Sequence, residues 1–268
     1  MSEIKVSGLH KSFGKVHVLR GLDFEVQKGE GVILLGANGC GKSTLMRSIC
    51  GLTPTDQGEI LIQDQSLQKA SRRKVMAMRN KVGVVFQKFN LVGNLSVFQN
   101  VLYGALGSSR WGLLGCMGPF ASQEKREKVM ACLERVSLAD KADRKAEELS
   151  GGQQQRVAIA RMLMQEPEIV LADEPIASLD PKSGQEVMEL LWDVVQEQGL
   201  TVICTLHQLD IALQYGERFI GMKAGQVDID ARKGAITKAE LEGLYRGQVR
   251  VDAPENWKGV SELQTSAA

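Results

Sequence analysis

The chain has 268 residues, room for one large domain or two small ones at roughly 150 residues each. A 43% apolar share is enough for a packed core and excludes wholesale disorder. A net charge of +1 sets up no global field toward nucleic acid or an anionic membrane.

Five cysteines, none spaced as a C-x-x-C pair, argue against a zinc site and a disulfide framework and suit a reducing compartment. The start MSEIKVSGLHKSFGK has no apolar run of secretory type. The longest nearly uncharged stretch, residues 101–120, holds Arg110, repeated glycines and Pro119. It is too broken to span a bilayer. The expectation is a soluble chain that reaches a membrane only through a partner.

In chain order, Ile4 and Val6, then Val16 and Val18, then Leu22, Phe24 and Val26 alternate with polar residues. Turn signals at residues 12–15 and 20–21 divide them, which predicts a small antiparallel meander. Residues 32–35 form the first short, continuous apolar run of the kind buried in parallel sheets. Residues 36–44 follow at once and read GANGCGKST, the G-x-x-x-x-G-K-[ST] pattern in a strand–loop–helix setting. Gly36, Gly39 and Gly41 allow tight turning, and the backbone of Asn38, Cys40 and Thr44 completes an anion cradle. Lys42 is placed to reach the β- and γ-phosphates, and Ser43 to offer its hydroxyl to Mg²⁺. The plain alternative is a glycine-rich turn that matches by chance. The pattern predicts a nucleoside triphosphate but not which machine uses it.

A helix is expected over residues 43–50, stopped by Gly51, and a second buried strand over 82–86. Residues 88–162 hold helical patterns without a buried strand, including 124–136 with Val129, Cys132, Leu133 and Val136 on one face. They read as a helical subdomain. Within it, residues 108–121 carry Trp111, Leu113, Leu114, Met117 and Phe120, which fit a hairpin packed on the subdomain better than a membrane or permease contact. Residues 149–153 read LSGGQ at the start of a helix ended by Pro167. Bare N–H donors at a positive dipole end make a second anion site with no lysine of its own.

Residues 169–172 form a third buried strand, ending in Asp173 and Glu174. Ligands sit at this end of parallel strands. Asp173 suits Mg²⁺ and Glu174 suits polarising an attacking water, while an acidic turn that caps the next element is the bland alternative. A helix over 181–198 and a strand over 201–205 follow. The fold class is α/β, with a P-loop NTPase core of mainly parallel sheet, an antiparallel β subdomain and an inserted helical subdomain. The organisation expected is one domain over 1–247, with 1–87 and 163–247 as nucleotide-binding core and 88–162 as the helical part. Residues 248–268 form a polar tail expected to be mobile.

The order phosphate loop, LSGGQ, apolar-Asp-Glu resembles the ATP-binding subunits of ABC transporters over roughly residues 3–245. The resemblance implies ATP as ligand and an ATPase with Mg²⁺. It also implies a head-to-tail homodimer, in which Ser150, Gly151, Gly152 and Gln153 of one subunit close on the ATP held by the other. By the same resemblance Phe13 matches the aromatic that stacks on adenine, where the family more often has Tyr. Gln87 matches the glutamine that senses Mg²⁺ and γ-phosphate. Ser178, Leu179 and Asp180 match the loop at the dimer interface, and His207 matches the γ-phosphate histidine. With one cassette and no span, the chain looks like a separate subunit on the cytoplasmic face of an inner membrane. It would dock on a permease served by a periplasmic or surface solute-binding protein.

The stretches at 86–107, 138–161, 171–181 and 205–227 resemble the phosphonate-import ATPases, with Lys88 to Leu91 facing the permease. Phosphate and polar amino acid importers have similar cassettes and are the alternative. Between phosphate loop and LSGGQ there are no heptads and no cysteine pairs of the kind that mark non-transport relatives in DNA repair. Lys42, Glu174 and His207 argue against an inactive regulatory module. No nucleic-acid partner is expected.

Overall fold

A computed structural model describes residues 2–107 and 121–245. The hairpin expected over 108–121 and the polar tail therefore lie outside the described residues, apart from Ala121. The chain opens with two long antiparallel strands, β1 (Ser2–Phe13) and β2 (Val16–Gln27). The turn signal at residues 20–21 does not break β2. Gly21 stands at φ +79, and the pairing slips there, from Leu9 opposite Leu22 to His10 opposite Arg20. Leu19 and Leu22 are three residues apart, so in a regular strand they would face opposite ways, yet both are fully buried. The bulge turns both toward the core. The expected meander is thus one bulged hairpin, and its sheet is completed by β4 (Gln57–Ile62) and β5 (Gln65–Ser66) in the order β2-β1-β4-β5.

The central sheet holds β3 (Gly31–Leu35), β6 (Val82–Phe86), β7 (Ile169–Asp173) and β8 (Thr201–Thr205), the four expected apolar runs, in parallel. Two strands extend it, β9 (Arg218–Lys223), parallel to β3, and β10 (Gln226–Arg232), antiparallel to β9. The order is β10-β9-β3-β8-β7-β6. Alternate side chains of each buried strand feed two cores. Ile33, Leu35, Val170 and Cys204 pack toward the helices, and Val32, Leu34, Leu171 and Ile203 toward the antiparallel sheet.

Around the sheet run α1 (Lys42–Ile49), α2 (Arg72–Asn80), α3 (Val97–Leu102), α4 (Gln123–Arg135), α5 (Gly151–Met164), α6 (Pro181–Gln198), α7 (Leu209–Tyr215) and α8 (Lys238–Gly243). The ends of α6 follow from sequence. Asp180 Oδ1 accepts from Ser183 N–H at 3.0 Å, Pro181 starts the helix, and Gly199 at φ +61 ends it. Between β6 and β7 the described residues form α3, α4 and α5, which pack on one another, and no strand of the central sheet. This arrangement carries the LSGGQ segment to the start of α5, while the ends of β3, β6, β7 and β8 carry the other motifs.

Candidate functional site

The phosphate loop leaves β3 at Gly36 and enters α1 at Lys42. Gly36 at φ +144 is pressed so closely on β9 that a Cβ there would meet Met222 O at 2.3 Å. Gly41 at φ +108 would drive a Cβ into Leu19 Cδ2 at 2.8 Å. Gly36 excludes a side chain by space as well as by backbone angle, and Gly41 chiefly by backbone angle. Asn38 and Gly39 are exposed at the tip, and Ser43 and Thr44 stand in the first turn of α1. Lys42 is buried, and its Nζ donates to Gly36 O at 2.7 Å and Ala37 O at 3.3 Å. Burial raises the pKa of the Cys40 thiol, against the opposing charge of Lys42, which keeps it a small neutral side chain in the loop.

One hydrogen-bonded array crosses the ends of three neighbouring strands. Ser43 Oγ donates to Asp173 Oδ1 at 3.4 Å. Thr205 Oγ1 donates to the same oxygen at 2.9 Å and accepts from Glu174 N–H at 2.7 Å. Glu174 Oε1 and His207 Nε2 share a hydrogen bond of 2.5 Å. Glu174 holds φ +49, a left-handed state unusual for a bulky L-residue. Thr205, the last residue of β8, is the member that sequence reading missed. A threonine closing a buried strand carries no signal of its own until the β7–β8 register sets it opposite Asp173.

Gln87 directly follows β6, whose Phe86 pairs with Asp173. Its carbonyl accepts from Ser178 Oγ at 3.4 Å. After it the backbone turns through Phe89 at φ +23 and Asn90 at φ +51, a conformation that Arg161 of α5 holds by donating to Phe89 O at 2.9 Å and Asn90 O at 2.6 Å. Buried Asn100 accepts from Val92 N–H and donates to Val92 O and Ser96 O. Residues 87–91 line a surface groove of about 620 Å³ together with Gly93, Ala146, Glu147, Gln154 and Ser178.

Phe13 stands at the far end of the β1–β2 hairpin, 41% exposed, with Lys11 Nζ 5.2 Å from its ring centroid. Lys11 is tied to Asp56 at 2.9 Å, and that bond, foremost, holds the Asp56 carboxyl below its ordinary pKa. Ser150 and Gln153 form a capping box at the start of α5. Ser150 Oγ accepts from Gln153 N–H at 3.4 Å, and Ser150 N–H donates to Gln153 Oε1 at 3.1 Å. A Cβ on Gly152 would meet Ser183 Cβ at 3.0 Å, so the segment lies tight on α6. Ser150, Gly152 and Gln153 line a second hollow of about 270 Å³ with Lys141, Arg156, Ser183 and Glu186. That hollow shares no residue with the phosphate loop.

The family profile described as ABC transporter matches residues 19–177. A Stutzerimonas stutzeri protein named phosphonates import ATP-binding protein PhnC is 46% identical over 90% of this chain and 89% of its own length. A Mycolicibacterium smegmatis protein named phosphate-import ATP-binding protein PhnC is 45% identical over 88% and 89%. Among solved structures, a dimeric ATP-binding cassette in a post-hydrolysis state with ADP and Pi aligns with TM-score 0.75 at 33% identity over 87% of this chain and all of its own. A cassette in its ADP conformation aligns with TM-score 0.79 at 28% identity over 92% of this chain. With the phosphate loop, the acidic strand end and the LSGGQ helix all placed on this fold, the chain belongs to the ABC transporter family, as an ATP-binding cassette that hydrolyses ATP.

Proposed function

We propose that this cassette energises the import of phosphonates or closely related phosphorus compounds through a separate membrane permease. The observation that carries the ATPase chemistry is the bonded array from Ser43 through Asp173, Thr205 and Glu174 to His207. Lys42 now rests on neutral carbonyls. A phosphate oxygen replaces them with a charged acceptor, which is the stronger bond. Gly36, Asn38, Gly39, Cys40, Gly41 and Thr44 offer the backbone cradle, and Phe13 offers a ring face to adenine. Glu174 is the base that takes the proton of the attacking water, and His207 orients its carboxylate and faces the γ-phosphate.

Ser43, Asp173 and Gln87 supply only hard oxygen donors, and two of them already stand 3.4 Å apart, so the set fits Mg²⁺. When bound, that ion offsets the negative charge of the phosphates. We assign 1–87 and 163–247 to the nucleotide core and 88–162 to a helical subdomain, a division supported by the run of helices between β6 and β7.

The separation of the LSGGQ hollow from its own phosphate loop supports a head-to-tail homodimer. There Ser150, Gly151, Gly152 and Gln153 meet the triphosphate held by the partner. Among the described residues no helix is long and apolar enough to cross a membrane, so attachment at the cytoplasmic face falls to the permease. The groove at Gln87–Leu91 is the proposed dock. The names of the relatives favour phosphonate, with phosphate as the second reading because one of them carries that name.

The test is ATP hydrolysis by the full transporter, co-purified and reconstituted with its solute-binding protein. Methylphosphonate or phosphite is expected to stimulate turnover. Stimulation by phosphate alone supports the second reading, and stimulation by a polar amino acid alone removes both.

A further inference from the structure

Gln155 of α5 is fully buried. Its side-chain NH₂ donates to Pro175 O at 2.7 Å and to Phe86 O at 3.4 Å. Two carbonyl acceptors fix the orientation of the amide, because a flipped group would set its oxygen against both. The remaining Oε1 is buried with no hydrogen-bond partner among the described residues. A bare buried acceptor is a cost that Met or Leu of similar shape would avoid. The work done by this side chain is therefore the work of its two donors. Those donors end on two informative peptides, since Pro175 follows Glu174 and Phe86 precedes Gln87. Pro175 has no N–H, so its carbonyl is the one backbone hydrogen-bonding group of the residue after the strained Glu174, and Gln155 holds it.

We propose that Gln155 is a positioning residue for hydrolysis: from the LSGGQ helix it clasps the backbone beside Glu174 and beside Gln87, and so ties the placement of both to that helix. The inference rests on the ATPase roles given above. It explains how a change at the start of α5, where the partner's nucleotide would lie, is felt at the base of the same chain. One rigid helix turn connects them, and Thr205 and His207 hold Glu174 from the other side.

The experiment compares Gln155→Met with the parent full chain. Met keeps length and volume and removes both donors. The expected result is a kcat lower by about tenfold with the KM for ATP within about twofold, because the phosphate loop is untouched. The melting temperature is expected to change little, since removal of the bare acceptor offsets the two carbonyls left without this donor. A parental kcat overturns the proposal, as does a parallel loss of kcat, KM and melting temperature, the mark of simple packing. If Gln155→Met does not fold, Gln155→Glu keeps the skeleton and regains one donor when protonated. Its activity relative to the parent is expected to rise toward acid pH, and a pH-independent ratio overturns the inference. The two readings fail separately: near-normal hydrolysis by Glu174→Gln defeats the assignment of the base, whatever Gln155→Met does.

Discussion

Glu174 pays a backbone penalty to stand where it does. A left-handed conformation costs a non-glycine residue about 1–2 kcal/mol. Such strain persists where the surroundings over-determine it. Here the amide is held by Thr205, the carboxylate by His207 and the carbonyl of the next residue, Pro175, by Gln155. A plain acidic turn that caps the next element needs none of these, and Asp180, not Glu174, caps α6. Glu174→Gln keeps the shape and the contact with His207 and removes the basic oxygen. Hydrolysis is expected to fall by about 10²-fold or more while ATP binding survives. Trapped ATP then holds two chains together, which light scattering detects as a stable dimer. Turnover near the parent level would take Glu174 out of the role of base.

At the scale of elements, the bulge at Gly21 sets how β2 meets the phosphate loop, because Leu19, just before it, packs on Gly41. Gly21→Ala places a Cβ 3.3 Å from His10 Nε2 at φ +79. The loss of stability is expected to be about 1–2 kcal/mol, read from chemical denaturation. An unchanged midpoint would mean that the bulge relaxes at no cost. This is also where sequence reading and structure part. The four buried strands were legible because continuous Val and Ile runs have one stable home, a parallel sheet covered on both faces. The bulge was not, since Arg20-Gly21 reads equally as a turn, and only the burial of both Leu19 and Leu22 decides. β9 is interrupted by Gly221, against which Leu244 packs, and β10 alternates as an edge, so neither presents a clean run. The candidate residues of the phosphate loop, Gln87, Asp173, Glu174 and His207 were legible as motifs because they abut those strands. Thr205 and Gln155 were not, because their partners lie 32 and 20 residues away and meet them only through the fold.

At the scale of the whole molecule, the question is how the nucleotide site speaks to a partner. Gln87 directly follows β6, one residue past the partner of Asp173, and the next residues line the open groove. The turn between them is held at both ends. Arg161 grips Phe89 O and Asn90 O, and burial lowers the pKa of this guanidinium. Asn100 grips Val92 and Ser96. Such a loop transmits differences in contact rather than absorbing them, which is what coupling between two sites requires. The Phe89 ring also lies close to Gly151, 3.7 Å from where its Cβ would stand, so it touches the LSGGQ segment as well as the groove. A packing role for Phe89 and a docking role therefore predict different things. Phe89→Ala removes no group of the proposed chemistry and leaves the carbonyl that Arg161 holds. ATPase of the isolated subunit is expected to stay within about threefold of the parent. In the assembled transporter the same change is expected to cut solute-stimulated ATPase and uptake by about tenfold or more, because the groove proposed as the permease dock has lost its aromatic ring. Both activities are measured on one preparation, with and without the permease. An equal loss in the isolated subunit would make Phe89 a packing residue of the LSGGQ segment and take the groove away from the permease.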